Sequence, residues 1–474
     1  MIQVKRAIIL TDSEKMIYNL VYDYYETRIL MGASRYGDYL PAITRIGESF
    51  QMAPRTVRAA LTRLEENGYI RIDPRKPARV IYQITDEEIR ENAASYFVPR
   101  QAGILDFCLS GKLLIEPIWE YVQTKLDQET WLQLKQMIAV AGNIDLSVST
   151  RLHIYAFAAL HNRLIMNFYW ELLRYLRFPY LSSQDAHKVR DNQFLEDEKA
   201  DETGFMRDAF EGDFEKGVNY LFAFCSRVEN DYNLKGKEEI PFHWNVYWQR
   251  PQICYTLASG IILDIIKGTY PVGGYLPSLS ILSKQLNVSF RTLRRTLSIL
   301  DSLGVIRLHQ GKVSEICTEI RAIDFDRPEV REGFRYYRES LQFMAITVRP
   351  VFLYTIEHVK EEERDHLLHE FMHIFNENKY RWCFQLTFDF IREFCPLAAV
   401  RECYNNLAYF LIWGYPFILY YNGKDALTED YISRCQRAAS CLEQRQWEGF
   451  ADCWRELEER EQKEADRYLS EYDI

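Results

Sequence analysis

Two short segments carry the most pointed chemistry in this chain. One reads Ala53-Pro54-Arg55-Thr56-Val57-Arg58, the other Ser289-Phe290-Arg291-Thr292-Leu293-Arg294-Arg295. On a helix, the Arg-Thr-x-Arg spacing sets two guanidinium groups one turn apart on the same face. A guanidinium is a planar fork of donors that fits a phosphate or the O6/N7 edge of guanine. A threonine hydroxyl can bond a phosphate, and its methyl can pack on thymine. For one such pair, a solvated helix face with incidental charge is the simpler reading. The same pair at a helix start in two segments points instead to a nucleic-acid contact.

The elements that must position these residues are written twice. Tyr39 to Ile72 aligns without a gap on Tyr275 to Leu308, at a constant offset of 236, with eleven identities in 34 positions. These are Tyr39, Leu40, Pro41, Arg55, Thr56, Arg58, Leu61, Leu64, Gly68, Ile70 and Arg71. Chance would give about two at ordinary residue frequencies. Upstream, Gly32 pairs with Gly268 and Gly37 with Gly273. Pro41 and Pro277 suit the first turn of a helix. Ile43, Ile46 and Phe50 form an apolar stripe at helical spacing, and Leu279, Leu282 and Leu286 form its twin. A second helix opens at Pro54, or after an N-cap Ser289. It turns Val57, Leu61 and Leu64 inward (Leu293, Leu297 and Leu300 in the second copy) and ends at Gly68 or Gly304. Two β-rich runs follow in each copy and bracket the tips "DPRKP" and "HQGK". Helix, turn, helix, hairpin is the order of a winged helix-turn-helix.

Both copies resemble the GntR-type winged helix, with its punctuation of I..G...G..LP followed by T.r..L..L...G. The second copy follows it almost throughout. The first keeps Gly32, Gly37, Leu40, Pro41, Thr56, Val57, Arg58, Leu61, Leu64 and Gly68. The resemblance implies DNA contacts from Arg55, Thr56 and Arg58, and from Arg291, Thr292, Arg294 and Arg295. It also implies contacts from the wing residues Arg75, Lys76 and Arg79, and from His309, Gln310, Gly311 and Lys312. Thr44 and Ser280 stand where the family usually has an arginine, and Ala53-Pro54 and Ser289-Phe290 replace its Ser-Arg, so no target sequence carries over.

Composition fits this reading once charge is counted by segment. The chain's 474 residues carry −10 overall. Residues 1–84 hold 13 Lys and Arg against 9 Asp and Glu, and residues 245–318 hold 8 against 3. Two islands of +4 and +5 therefore sit in a body of −19. The longest apolar run, Leu407 to Tyr421, is too short for a bilayer span and is interrupted by Gly-Pro punctuation, so a buried core helix is expected and no membrane contact. The first apolar run, Ala7 to Leu10, is too short for a signal peptide. The ten cysteines include no C-x-x-C pair, and reduced thiols in a cytoplasm are expected.

About 145 residues of helical text follow each winged helix. The expected architecture is mainly α and internally duplicated. Winged helix-turn-helix domains at 1–89 and 245–321 alternate with all-helical domains at 90–235 and 322–474. The first helical half is similar to the effector domain of the fatty-acid-regulator branch. "LHIYAFAALHNRLI" puts His153 and Asn162 in register, and Ala209, Gly212 and Asp213 match a later piece. Many such domains bind a metal through one Asp and three His. Here the four positions fall near Ser149, His153, Thr203 and Phe224, and a lone histidine does not hold a divalent ion. No metal and no cofactor are expected, and His153 reads as a satisfied core or pocket histidine. The aromatic clusters Phe168–Trp170, Trp413–Phe417 and Tyr420–Tyr421 read first as bundle core. His153, Asn162, Tyr169 and Trp170 form the candidate effector pocket.

The functional expectation is a transcription regulator that binds an operator of double-stranded DNA and is controlled by a small-molecule effector. A single chain would act as a pseudo-dimer, or two chains as a homodimer, on half-sites about one helical turn apart. The alternative is a plasmid-type replication initiator, which can also carry tandem winged helices but does not normally show this glycine and Leu-Pro punctuation twice. An enzyme is not expected, because the chain lacks a Gly-rich phosphate loop, G-x-S-x-G and H-E-x-x-H.

Overall fold

The computed structural model describes residues 12–50, 52–126, 129, 131–132, 148–177, 218–219, 221–232, 234, 236–246, 253–309, 313–318, 323–378, 380–414, 416, 429–472 and 474. The chain forms two compact units, Met1–His243 and Trp244–Ile474. The architecture is mainly helical, with a small antiparallel hairpin in each unit.

In the first unit, α1 (Asp12–Leu30) precedes α2 (Ile43–Ser49) and α3 (Pro54–Glu66). α3 begins as expected, with Pro54 in its first turn and an uncapped Ala53 before it. It buries Val57, Ala60, Leu61 and Leu64, ends at Asn67, and turns away through Gly68 at φ +78°. β1 (Ile70–Asp73) and β2 (Lys76–Val80) form the wing, pairing Ile70 with Val80 and Arg71 with Arg79. Tyr39 adds a bridge to Arg79.

The second unit repeats this plan with α9 (Ile253–Ile266), α10 (Leu279–Gln285), α11 (Phe290–Ser302), β3 (Ile306–Arg307) and β4 (Glu315–Ile316). Ile306 faces Ile316, Arg307 faces Glu315, and Tyr275 bridges Glu315. The Ser289 side chain caps α11 by accepting from the Thr292 amide at 3.2 Å.

Individual bonds recur at the same offset of 236. The Leu40 amide donates to Ala78 O (2.8 Å), and the Leu276 amide to Ser314 O (2.9 Å). The Ile72 amide donates to Glu65 Oε1 (2.8 Å), and the Leu308 amide to Asp301 Oδ1 (3.1 Å). An acid near the end of each second helix thus pins the first strand of its wing. These bonds also explain one departure from expectation. Pro41 and Pro277 lie before the N-caps Ala42 and Ser278, not in the first helical turn. The preceding leucine amides are still paired with the wing, so the chain has not yet entered the helix at either proline.

Each winged helix-turn-helix is packed on its own helical body. In the first unit the body contains α4 (Asp86–Phe97), α5 (Gln101–Leu114), α6 (Glu116–Lys125), α7 (Val148–Ala159) and α8 (Arg163–Leu176). A Thr85–Glu88 capping box starts α4. The Tyr155 hydroxyl on α7 donates to Glu48 O at 2.8 Å, and Trp170 on α8 packs against Phe50 with ring centroids 6.3 Å apart. Arg174 Nε on α8 bonds Asp23 Oδ2 on α1 at 2.5 Å.

The second body contains α12 (Pro328–His358), α13 (Glu361–Asn376), α14 (Tyr380–Phe394), α15 (Ala398–Leu411), α16 (Glu429–Glu443) and α17 (Trp447–Ser470). One apolar core runs unbroken from Leu282, Leu293 and Leu300 in the winged helix-turn-helix to Phe334, Trp413 and Leu469 in the body. Tyr255 of α9 meets Trp413 edge-on at 5.6 Å.

The packing around Trp413 gives a test of sign. Ala for Gly inside a helix normally gains about 1 kcal/mol. At Gly333 of α12, a Cβ would overlap the Trp413 indole. Gly333→Ala is therefore expected to destabilise the protein by about 1–3 kcal/mol, read as a lower denaturant midpoint.

Candidate nucleic-acid interface

The inward faces of α3 and α11 decide what lies outward. With Val57, Leu61 and Leu64 buried, Arg55 and Arg58 lie exposed on the first turns of α3. With Leu293, Leu297 and Leu300 buried, Arg291 and Arg294 take the same place on α11. Arg58, Arg291 and Arg294 make no ion pair among the described residues.

Other expected contact residues are placed differently. Thr56 is only 1% exposed, so its hydroxyl does not reach solvent. It shares the packed side of α3 with buried Ala60, one turn on. Thr292 is half-buried and occupied in the α11 cap, with its hydroxyl 2.9 Å from Ser289 Oγ. Arg295 is ion-paired at 3.4 Å with Glu329, in the first turn of α12.

The first wing is exposed and basic. Arg75 and Lys76 stand at its tip, where the Arg75 amide donates to Asp73 Oδ1 at 2.8 Å. Arg79 donates through Nε to Gly37 O at 3.1 Å, and its guanidinium lies about 6 Å from the exposed rings of Tyr36 and Tyr39. Arg71, directly across the ladder, is exposed as well. The winged-helix motif does not single out Arg71. The alternation Ile70-Arg71-Ile72 and its identity with Arg307 are the sequence signals that could have found it. In the second wing, Gln310, Gly311 and Lys312 lie outside the described residues. Arg307 Nη1 and His309 Nε2 both approach Glu315 Oε2, at 3.5 and 3.1 Å.

The four candidate pocket residues do not share one role. His153 is buried among Trp119, Phe157 and Tyr169, with ring centroids 5.3–5.6 Å away. Burial pushes the Tyr169 phenol well above its ordinary value, opposed in part by a hydrogen bond with Thr150. Asn162 instead caps α8, its Oδ1 accepting from the Ile165 amide at 2.9 Å. Trp170 turns to the reader's Phe50. Among the described residues, no three His, Cys, Asp or Glu lie together as a metal site. Ala209, Gly212, Asp213, Thr203, Phe417, Tyr420 and Tyr421 lie outside the described residues. No helix among the described residues is long and apolar enough to cross a membrane.

A helix-turn-helix closed by a hairpin and leading with exposed arginines defines a winged DNA-binding domain, and it occurs in both units. Residues 17–80 and 256–316 match the family model of bacterial regulatory proteins, gntR family. Both winged helix-turn-helix segments are thus similar to the gntR-family domain. It is also similar to LexA repressors. That of Staphylococcus aureus (strain USA300) is 34% identical over 84 residues, 18% of this chain and 35% of the repressor. That of Staphylococcus carnosus (strain TM300) is 36% identical over 74 residues, 15% of this chain and 32% of the repressor. The chain thus spans about a third of the length of the curated relatives it matches. Among solved structures, Streptococcus agalactiae GntR aligns over 44% of this chain and 99% of its own, at 12% identity and a TM-score of 0.19. A GntR-family transcriptional regulator from Pseudomonas syringae pv. tomato str. DC3000 aligns over 47% of this chain and 88% of its own, at 15% identity and a TM-score of 0.20.

The role of Asn162 as a cap is open to measurement. Asn162→Ala is expected to lower stability by about 0.5–2 kcal/mol through loss of that cap, seen as a reduced thermal or denaturant midpoint without any ligand present.

Proposed function

We propose that the chain is a sequence-specific DNA-binding transcription regulator whose two readers, 1–89 and 245–321, engage two half-sites of one operator. The observation that carries this reading is the exposed arginine pair on the first turns of each recognition helix, Arg55 with Arg58 and Arg291 with Arg294. The N-terminal turns of such a helix are the part that enters the major groove. The constant 236-residue offset of backbone bonds, glycine turns and arginines supports an origin by internal duplication. A fused pair replaces bimolecular pairing with a fixed effective concentration, so one chain would do the work of a dimer. The helical parts, 90–235 and 322–474, would orient the readers and respond to a small molecule that favours one reader spacing over another. Because neighbouring residues differ between "APRTVRAAL" and "SFRTLRRTL", the two half-sites would form an imperfect palindrome.

Footprinting combined with light scattering tests the proposal. One chain is expected to protect a single site of about 20 bp. Protection only by a dimer of chains would refute the pseudo-dimer and leave DNA binding standing. Arg58→Ala and Arg294→Ala are each expected to weaken specific binding by about 1–3 kcal/mol. Thr56→Val, at a buried site, should leave specific binding within about twofold. If neither arginine variant changes affinity, the recognition-helix assignment is wrong.

A further inference from the structure

We propose that the two readers grip DNA unequally. The outer face of the first wing, Arg71 with Arg79, is a clamp for backbone phosphate, whereas in the second reader carboxylates hold Arg307, which matches Arg71, and Arg295. The inference rests on the DNA-binding reading above and adds to it an electrostatic division of labour.

The argument begins with the ladders. Arg71 faces Arg79 across the first wing, and Arg307 faces Glu315 across the second. The two pairs are equivalent, because Tyr39 bridges Arg79 as Tyr275 bridges Glu315. Like charges directly opposite on a ladder oppose pairing, and opposite charges support it. The first wing therefore carries a local conflict that its fold does not require, since the second wing closes with an ion pair at the same place. An anion bound between Arg71 and Arg79 would resolve that conflict. Arg79 is also pre-set. Its Nε is held by Gly37 O and its guanidinium lies near Tyr36 and Tyr39, which leaves its outer nitrogens for a ligand. A guanidinium pair with exposed forks is suited to phosphodiester oxygens.

The second reader shows the reverse pattern. Glu315 receives both Arg307 and His309, and Glu329 receives Arg295 from the recognition helix. Position 59, which matches Arg295, is alanine in the first copy. By residue count the second island is the more basic. By geometry, two of its arginines are already paired with carboxylates.

The test uses the full-length protein and a fluorescent duplex of random sequence, about 30 bp long, with anisotropy read between about 50 and 200 mM KCl. The slope of log Kobs against log salt is about −0.9 per phosphate neutralised. Arg71→Gln with Arg79→Gln is expected to flatten that slope by about 1.8, and Arg79→Lys to retain its share. Arg79→Lys separates charge from the bond to Gly37. Glu315→Gln and Glu329→Gln are each expected to steepen the slope by about 0.9, by freeing a cation for phosphate. If the wild-type protein binds with strong salt dependence and these slopes do not move, the division of labour is wrong while DNA binding stands. If the wild-type protein shows no salt-dependent duplex binding, both readings fall.

Discussion

What a recognition helix presents to solvent is set by what its other face must bury. Leu293, Leu297 and Leu300 leave α11 one packed orientation, and Val57, Leu61 and Leu64 do the same for α3. Rotating either helix by one residue, about 100°, would expose leucine and bury arginine. The placement of Arg58 and Arg294 is therefore a consequence of apolar packing, not of any interaction the arginines make. The glycine turn after each helix and the acid that holds the first wing strand complete the same constraint. They bring the hairpin back beside the helix at a fixed distance along the chain.

The same burial ties each reader to its own body. In the second unit no break separates the core of the winged helix from that of the bundle. The segment between them is pinned too, by Arg327, which bonds Ser298 O at 3.0 Å and the Ser302 hydroxyl. In the first unit Trp170, Tyr155 and Arg174 reach back to α2 and α1. A reader fixed in this way is not a loosely tethered module. Any effector signal within a unit would have to move packed helices, which shift between discrete arrangements and do not deform continuously.

Much of this was legible in the sequence. Helical spacing, Pro54 or Ser289 at the start of each second helix, and paired glycines placed both helix-turn-helix motifs. Their constant offset placed the arginines. What escaped were roles set by residues distant in sequence. Arg295 has the same local signature as Arg294, and only the fold brings it to Glu329, 34 residues on. Thr56 is identical in both copies, yet one threonine is buried and the other half-buried and used as part of a cap. Trp170 reads first as bundle core, but its partner Phe50, 120 residues earlier in the chain, is known only from the fold. Asn162 differs, because an asparagine immediately before the apolar run of α8 is a local N-cap signal, legible without the fold.

The divergence of the two copies is most informative where the backbone did not change. Hydrogen bonds and bridges of the two wings superpose in register, so Arg79 and Glu315 occupy the same scaffold position with opposite charge. The same hairpin forms with either residue, so the ladder itself does not require the difference. It also shows why segment charge is an incomplete guide to a binding face. Counting credits the second island with one more positive charge, although Arg307 and Arg295 each already sit against a carboxylate. The quantity that matters to a phosphate is the number of guanidinium groups free to move onto it, and that number follows from pairing geometry, not composition.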